Sequence, residues 1–294
     1  MLISVIIVNW NRVDDMIETL DSLQNQTYSN YEIVVVDNGS NDGSIEVFES
    51  NYPYVNLVSL KNNVGCEEGF NIGMQHSKGD IFFYLDSDAS LSNDILNLTA
   101  LAFKKDKTLG ILEPRVINPH NSKILNEPKN WPIKNSFIGC AVAIRKQLIE
   151  QIGNRPSEYF IYTSEADICI RVVDTNYKIK HDKNMLAYHR ESPTKRFSSK
   201  FYYYYTRNGI WLIWKFYPFL PAIQETFIHL LYNFLNSMYA LAPWHFFKGI
   251  FDALIGFKEY AINKRNPIKK YYEAKLYPSP VSIFRIIIKK IIRV

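Results

Sequence analysis

The apolar run Ile81-Phe82-Phe83-Tyr84-Leu85 ends in Asp86-Ser87-Asp88. A run of this length without a polar break reads as a strand buried on both faces, the kind found in sheets with helices on either side. Such a strand delivers two carboxylates, one residue apart, to its C-terminal edge. In an open α/β sheet that edge is where ligands bind. Two carboxylates on rigid backbone suit a hard divalent cation, and such cations commonly bridge substrate phosphates. A short acidic pair at a strand end also suits a solvated loop start or a helix cap, so the neighbouring segments have to decide.

The front half alternates strand and helix patterns. Ile3–Val8 and Tyr31–Val36 are apolar runs of strand length, Val55–Leu60 is a shorter one, and Ile81–Leu85 is the fourth. Between them, Met16, Leu20 and Leu23 recur at helical spacing, and Glu67–Ser77 reads as a helix. The turn-rich segment Asp37–Ser44 follows the second strand and suits a tight loop leading into a helix N-cap. This alternation predicts βαβ units and a mostly parallel sheet. Right-handed crossovers then bring Asp37 and Asp86-Ser87-Asp88 into one crevice. Further strands are expected over Gly110–Val116 and Phe137–Ile144, around a loop rich in Pro and Asn from Asn118 to Pro132. A helix is expected to end at Gly153, and another to run through Val173.

Composition changes in the last third. From Lys195 onward there are 16 Lys and Arg against 4 Asp and Glu, a balance of +12, whereas residues 1–194 carry −7. The stretch Tyr217–Trp244 is strongly apolar but interrupted by Gln224, Glu225, His229, Asn233 and Asn236 and by prolines. It is too broken for a spanning helix of ~20 apolar residues, and an amphipathic helical region lying in an interface fits better. Ile283–Val294 repeats the pattern with Arg285, Lys289 and Arg293 at four-residue spacing. These features point to a basic, aromatic extension at a membrane surface; packing of the aromatics on the front domain is the alternative. No RNA-reading motif or recognition helix suggests nucleic acid. Three dispersed cysteines without metal spacing suggest reduced thiols. The N-terminus runs straight into a strand without a basic then apolar leader, so no secretion signal is expected.

The ordered segments Ile3–Asn11, Val34–Ser44, Asn62-Asn63-Val64-Gly65 with Asn71 and Gly73, and Leu85–Asp88 resemble family 2 glycosyltransferases, closest in appearance to the bacterial rhamnosyltransferase-like branch. The resemblance runs from Ile3 to about Asn208. It implies the GT-A fold, an open, mostly parallel twisted sheet flanked by helices, here over 1–208; the composition change adds a helical extension over 209–294. It implies an inverting transferase that uses a nucleotide sugar (UDP-, TDP- or GDP-linked), Mg2+ or Mn2+, and a glycan or lipid-linked acceptor for surface polysaccharide. The place of work would be cytoplasmic, peripheral on the inner face of the cell membrane. Asn9, Trp10, Asn11, Asp37, Asn38 and Asn71 would line the nucleotide pocket, Asp86 would serve ribose and metal, and Asp88 and His189 the metal. Asp37 also fits a turn residue capping the next helix, and His189 a structural histidine.

The segment Tyr162–Arg171 resembles the family's F-x-Y-x-E-D-x-D-x-C-x-R pattern, with Ser164-Glu165 standing where Glu-Asp is usual. Glu165 thereby becomes the implied general base and Asp167 the fallback; a capping box at Ser164 and Asp167 is compatible with either. Two other readings remain. The Ser164-Glu165 departure suits a non-catalytic nucleotide- or glycan-binding scaffold with a decayed acceptor site. A nucleotidyltransferase would want a Gly-rich, basic loop after the first strand, where this chain offers only Arg12.

Overall fold

The N-terminal apolar run forms β1 (Ile3–Asn9), and the computed structural model, which describes residues 1–126, 137–190 and 199–269, places it third in an eight-stranded sheet. The other strands are β2 (Tyr31–Asp37), β3 (Asn56–Ser59), β4 (Ile81–Asp86), β5 (Ala89–Leu91), β6 (Leu109–Ile117), β7 (Ala141–Arg145) and β8 (Lys178–His189). Their order is β3-β2-β1-β4-β7-β6-β8-β5. The β3-β2-β1-β4 half is parallel. In the other half only β6 and β8 run parallel; β7 is antiparallel to β4 and β6, and β5 to β8. The sheet is therefore mixed, with the expected parallel arrangement in its first half.

Register carries function here. Asn9 pairs with Asp37, and Val8 with Asp86. Three parallel strands thus end level with one another, and their polar terminal residues share one edge. Helices α1 (Val13–Gln24), α2 (Ser44–Asn51), α3 (Cys66–Gln75), α4 (Ile95–Lys105) and α5 (Lys146–Ile152) complete this unit. Met16, Leu20 and Leu23 of α1 are fully buried with Ile3, Val5, Ile7 and Phe83 in one core, as the helical spacing requires. Helix α3 lies close on β1: a Cβ at Gly73 would fall 2.3 Å from Ile6 Cγ2, so only glycine fits there.

The chain divides into two compact units. Among the described residues, the first comprises 1–126, 137–160 and 175–190; the second comprises 161–174 and 199–269. The second unit is helical: α6 (Ser164–Val173), α7 (Lys200–Phe216), α8 (Phe219–Tyr239), α9 (Pro243–Ile255) and a π-helical turn at Phe257–Ile262. A boundary after Asn208 falls inside α7. The apolar stretch Tyr217–Trp244 is mostly α8. Ile283–Val294 and part of the Asn118–Pro132 stretch lie outside the described residues.

Two strand expectations differ from the structure. Phe137–Cys140 precede β7 instead of belonging to it: Ile138 N–H donates to the Glu113 side chain (2.6 Å), not to a strand ladder. Phe137 and Cys140 are nonetheless buried, which is why their apolar character reads as strand. Strands β5 and β8 were not expected at all. The first half of β8 is largely polar and partly exposed, and β5 has three residues.

Candidate functional site

At the C-terminal edge of the first unit, Asp86 closes β4, and its N–H donates to the Cys140 carbonyl (2.8 Å). The antiparallel β5–β8 pairing sets His189 opposite Ala89, just after the acidic pair. His189 Nε2 lies 3.0 Å from Asp88 Oδ1 and 3.9 Å from Asp86 Oδ2. Arg12 Nη1 lies 2.7 Å from Asp88 Oδ2. The Arg190 N–H donates to the Asp88 carbonyl, which anchors the end of β8 (3.1 Å). Burial pushes the Asp88 carboxyl upward, but His189 and Arg12 outweigh it and hold it below its ordinary value. Asp88 is thus a buried carboxylate already balanced by two cationic or hydrogen-bonding partners.

Donor atoms of Asp86, His189 and Cys140 all lie within 4.8 Å of one another. An oxygen, a nitrogen and a sulfur converging at a strand end suit a divalent cation. The mixed set favours Mn2+ over Mg2+, which prefers an all-oxygen octahedron. Burial, and then Asp86, Asp88 and Glu113, push the Cys140 thiol well above its ordinary pKa, so without a cation it stays protonated. Asp86, Asp88 and His189 were read from sequence; Cys140 and Arg12 were not. A single sequence gives no sign that β7 runs antiparallel to β4 and brings Cys140 level with Asp86. In the sequence Arg12 is simply the basic residue that follows the first strand.

The polar ends of β1 and β2 form a second cluster on the same edge. Asn9 and Asp37 are fully buried. Asn9 Nδ2 donates to Asp37 Oδ1 (2.9 Å) and to Ser40 Oγ, and Ser40 N–H donates to Asp37 Oδ2. The carboxylate fixes the amide orientation, because Oδ1 turned toward Asp37 would be repelled. Asn9 Oδ1 is left buried without a hydrogen-bond partner among the described residues. A buried orphan acceptor is costly, so a hydrogen-bond donor that reached it would be held favourably. Trp10, beside it, is 53% exposed. Asn11 adopts φ 51° and accepts the Asn41 N–H through its side chain. Asn38 bonds Asn63, Val64 and Gly65, and Asn71 bonds both the N–H and the carbonyl of Arg155. The structure gives these last two amides loop-holding partners.

In the second unit, Glu165 and Asp167 stand in the first turn of α6. The two residues before the helix, Tyr162 and Thr163, are both in the left-handed region (φ 66° and 74°), a strain of order 1–3 kcal/mol for each residue. Asn208 of α7, fully buried, donates to the Ile161 and Tyr162 carbonyls (2.9 and 3.2 Å) and holds that turn. Thr163, not Ser164, is the N-cap, and it makes no side-chain cap bond. Asp167 is fully buried between Arg171 (2.6 Å) and Lys215 (2.9 Å). Burial raises its pKa, but these two cations lower it further and leave it below its ordinary value. A carboxylate so held pins α6 to α7 and is a poor proton acceptor. Asp167→Asn is expected to cost about 3–5 kcal/mol of stability by leaving two cations unbalanced, measured by denaturant unfolding. Because the native pKa is the lower one, this stabilisation is present at neutral pH. It fades as pH falls below about 4, through the native value.

The sequence profile of glycosyl transferase family 2 matches residues 4–170, more than half the chain. This protein belongs to glycosyl transferase family 2. Among its relatives, the glycosyltransferase AglE of Haloferax volcanii is 36% identical over 206 residues, 65% of this chain and 67% of AglE. A chondroitin synthase of Pasteurella multocida is 35% identical over 136 residues, 45% of this chain but only 14% of the synthase. Solved structures share the fold. S. aureus TarS 1–349 in complex with UDP-GlcNAc aligns with TM-score 0.62 at 16% identity, over 90% of this chain and 84% of that one. The mannosyltransferase PcManGT of Pyrobaculum calidifontis, in complex with GDP-Man and Mn2+, aligns with TM-score 0.59 at 19% identity, over 87% and 75%. This member of family 2 thus has the GT-A fold, with a helical C-terminal part. No described helix is long and apolar enough to cross a membrane.

Proposed function

We propose that this family 2 glycosyltransferase moves a sugar, with inversion, from a UDP-, TDP- or GDP-linked donor to a hydroxyl of a glycan or lipid-linked acceptor in surface polysaccharide synthesis. The observation that carries the reading is the pairing of two clusters on one sheet edge. One is the Asp86–His189–Cys140 donor set; the other is the buried Asn9–Asp37 pair with an unused acceptor.

Asn9 Oδ1 accepts a donor hydrogen from the nucleoside, with Asp37 fixing its orientation, and the exposed Trp10 ring offers the base an apolar face. Asn38 and Asn71 act through the loops they hold. A divalent cation, Mg2+ or Mn2+, held by Asp86 and His189 with Asp88 and Cys140 beside them, would neutralise charge on the diphosphate leaving group. Glu165 takes the proton of the acceptor hydroxyl. That oxygen bonds to the anomeric carbon as the bond to the diphosphate oxygen breaks, and the nucleoside diphosphate leaves with the electron pair. One displacement inverts the anomeric centre and uses no enzyme nucleophile. The cytoplasmic face of the cell membrane, with the enzyme bound peripherally, is the proposed place of work.

The scaffold reading draws on Ser164-Glu165, where the family pattern has Glu-Asp. Metal-dependent release of nucleoside diphosphate from a donor eliminates it, and donor binding without any turnover favours it. A separate expectation concerns Cys140. Cys140→Ser replaces sulfur by oxygen at the donor cluster and should narrow the preference for Mn2+ over Mg2+ by roughly tenfold. Metal titration followed by donor-induced thermal stabilisation reads this, and an unchanged ratio removes Cys140 from the metal centre.

A further inference from the structure

The second unit is built with its polar residues inside. Along α8, Glu225, His229, Asn233 and Ser237 recur every fourth residue, and all four are buried. His229 lies against α7, with Nε2 3.2 Å from the Thr206 carbonyl. Gly209 makes room for it, since a Cβ there would fall 2.2 Å from the ring. Asn233 donates to the His229 carbonyl (2.8 Å). Burial lowers the His229 pKa to about 4, so the ring is neutral. Helix α9 packs on α7 through small residues one turn apart: Gly249, whose Cβ would fall 2.7 Å from the Tyr203 carbonyl, and Ala253, whose carbonyl accepts the Trp211 indole N–H (2.9 Å).

The outside is apolar. Phe219, Leu220, Ile223 and Phe227 of α8 are exposed on one face, as are Trp244, Phe247, Phe251, Leu254 and Ile255 of α9, with Leu241 between the helices. A helix in water carries the reverse pattern, apolar inward and polar outward. A polar stripe inside, small residues at the helix contact and large apolar side chains outside are the arrangement for lipid as solvent. Helix α9, at 13 residues, spans about 20 Å, and no described helix can cross a bilayer. The pair therefore suits a place along the membrane interface, where apolar faces sink about 5–10 Å.

We propose that the α8–α9 pair inserts its outer face into one leaflet of an anionic bilayer. Charge selects lipid over a second copy of the chain. The segment from Lys195 onward carries +12 in sequence, almost all of it on residues flanking α8 and α9, and a surplus of that sign attracts an anionic surface and repels its own duplicate. Lys258 is exposed in the turn after α9, and Lys248, exposed on α9 beside Phe247, ion-pairs with Asp252 (2.6 Å); long basic side chains at such positions reach headgroups.

The proposal is independent of the sugar chemistry, so it is tested with no donor or acceptor present. The full chain is floated with vesicles of phosphatidylcholine and phosphatidylglycerol. Wild type should float and keep floating in high salt, and brominated acyl chains should quench Trp244. The double variant Phe227→Glu, Phe251→Glu should lose roughly tenfold or more in partition. Its circular dichroism should be unchanged, because those side chains are 69% and 63% exposed. Leu241→Asp, at the helix junction, should act in the same direction. Equal flotation of the variants overturns the proposal, as does flotation abolished by salt alone. So does a salt-stable dimer that shields Trp244 without binding vesicles.

Discussion

Glu165→Gln is expected to lower sugar transfer by about 10²–10⁴-fold while leaving donor affinity nearly unchanged. Gln keeps the shape and hydrogen-bonding reach of Glu but cannot accept the hydroxyl proton. The neighbouring carboxylate cannot substitute, because Asp167 is buried and shared between Arg171 and Lys215. Glu165 is only partly buried, in the first helical turn after two left-handed residues. That strained approach is held by Asn208, and strain of this kind concentrates at working sites. Asn208→Ala should therefore reduce kcat with KM for the donor little changed, which a purely structural loss would not do. Single-turnover rates together with donor binding distinguish the cases. Full activity in Glu165→Gln removes it as the base.

Asp86→Asn is expected to weaken metal binding by about 100-fold or more and to remove metal-supported transfer with it, at little cost in stability. Asp86 is partly exposed at a strand end, whereas Asp88 is buried between Arg12 and His189. Asp88→Asn should therefore differ in kind. It leaves Arg12 without a buried partner and lowers the unfolding midpoint as well as metal affinity. Electron paramagnetic titration of Mn2+ with parallel thermal unfolding separates the two. Equal metal affinity in wild type and Asp86→Asn removes Asp86 from the metal centre.

The parallel half of the sheet was legible because β1, β2 and β4 are predominantly apolar runs, interrupted internally only by Ser4 and Glu32, and a buried strand has few other ways to be written. Strand β8 was not, because Lys178–Asn184 is largely polar and pairs through backbone that carries no side-chain signal. That strand nevertheless delivers His189 to Asp88, so the distance between them depends on an element that periodicity did not reveal. Cys140 illustrates the same limit. It reaches Asp86 through strand pairing between residues more than fifty positions apart, and nothing local to either announces it. Asp37 and Asn9 were readable as site residues. That one holds the other and leaves Oδ1 unused depends on register and on the Ser40 turn. In α8 the interruptions Glu225, His229 and Asn233 looked like breaks in an apolar segment. The structure makes them a buried stripe.

If the proposed function holds, the sheet edge carrying Asn9, Asp37, Asp86 and His189 binds a nucleoside diphosphate sugar together with a divalent cation. Calorimetric titration of the full chain with UDP-, TDP- and GDP-sugars, with Mn2+ and then with chelator, tests it most directly. At least one donor should bind with Mn2+, and chelation or Asp86→Asn should weaken it by on the order of 100-fold. Binding of no donor in the presence of Mn2+, or binding indifferent to both the metal and Asp86, would contradict it.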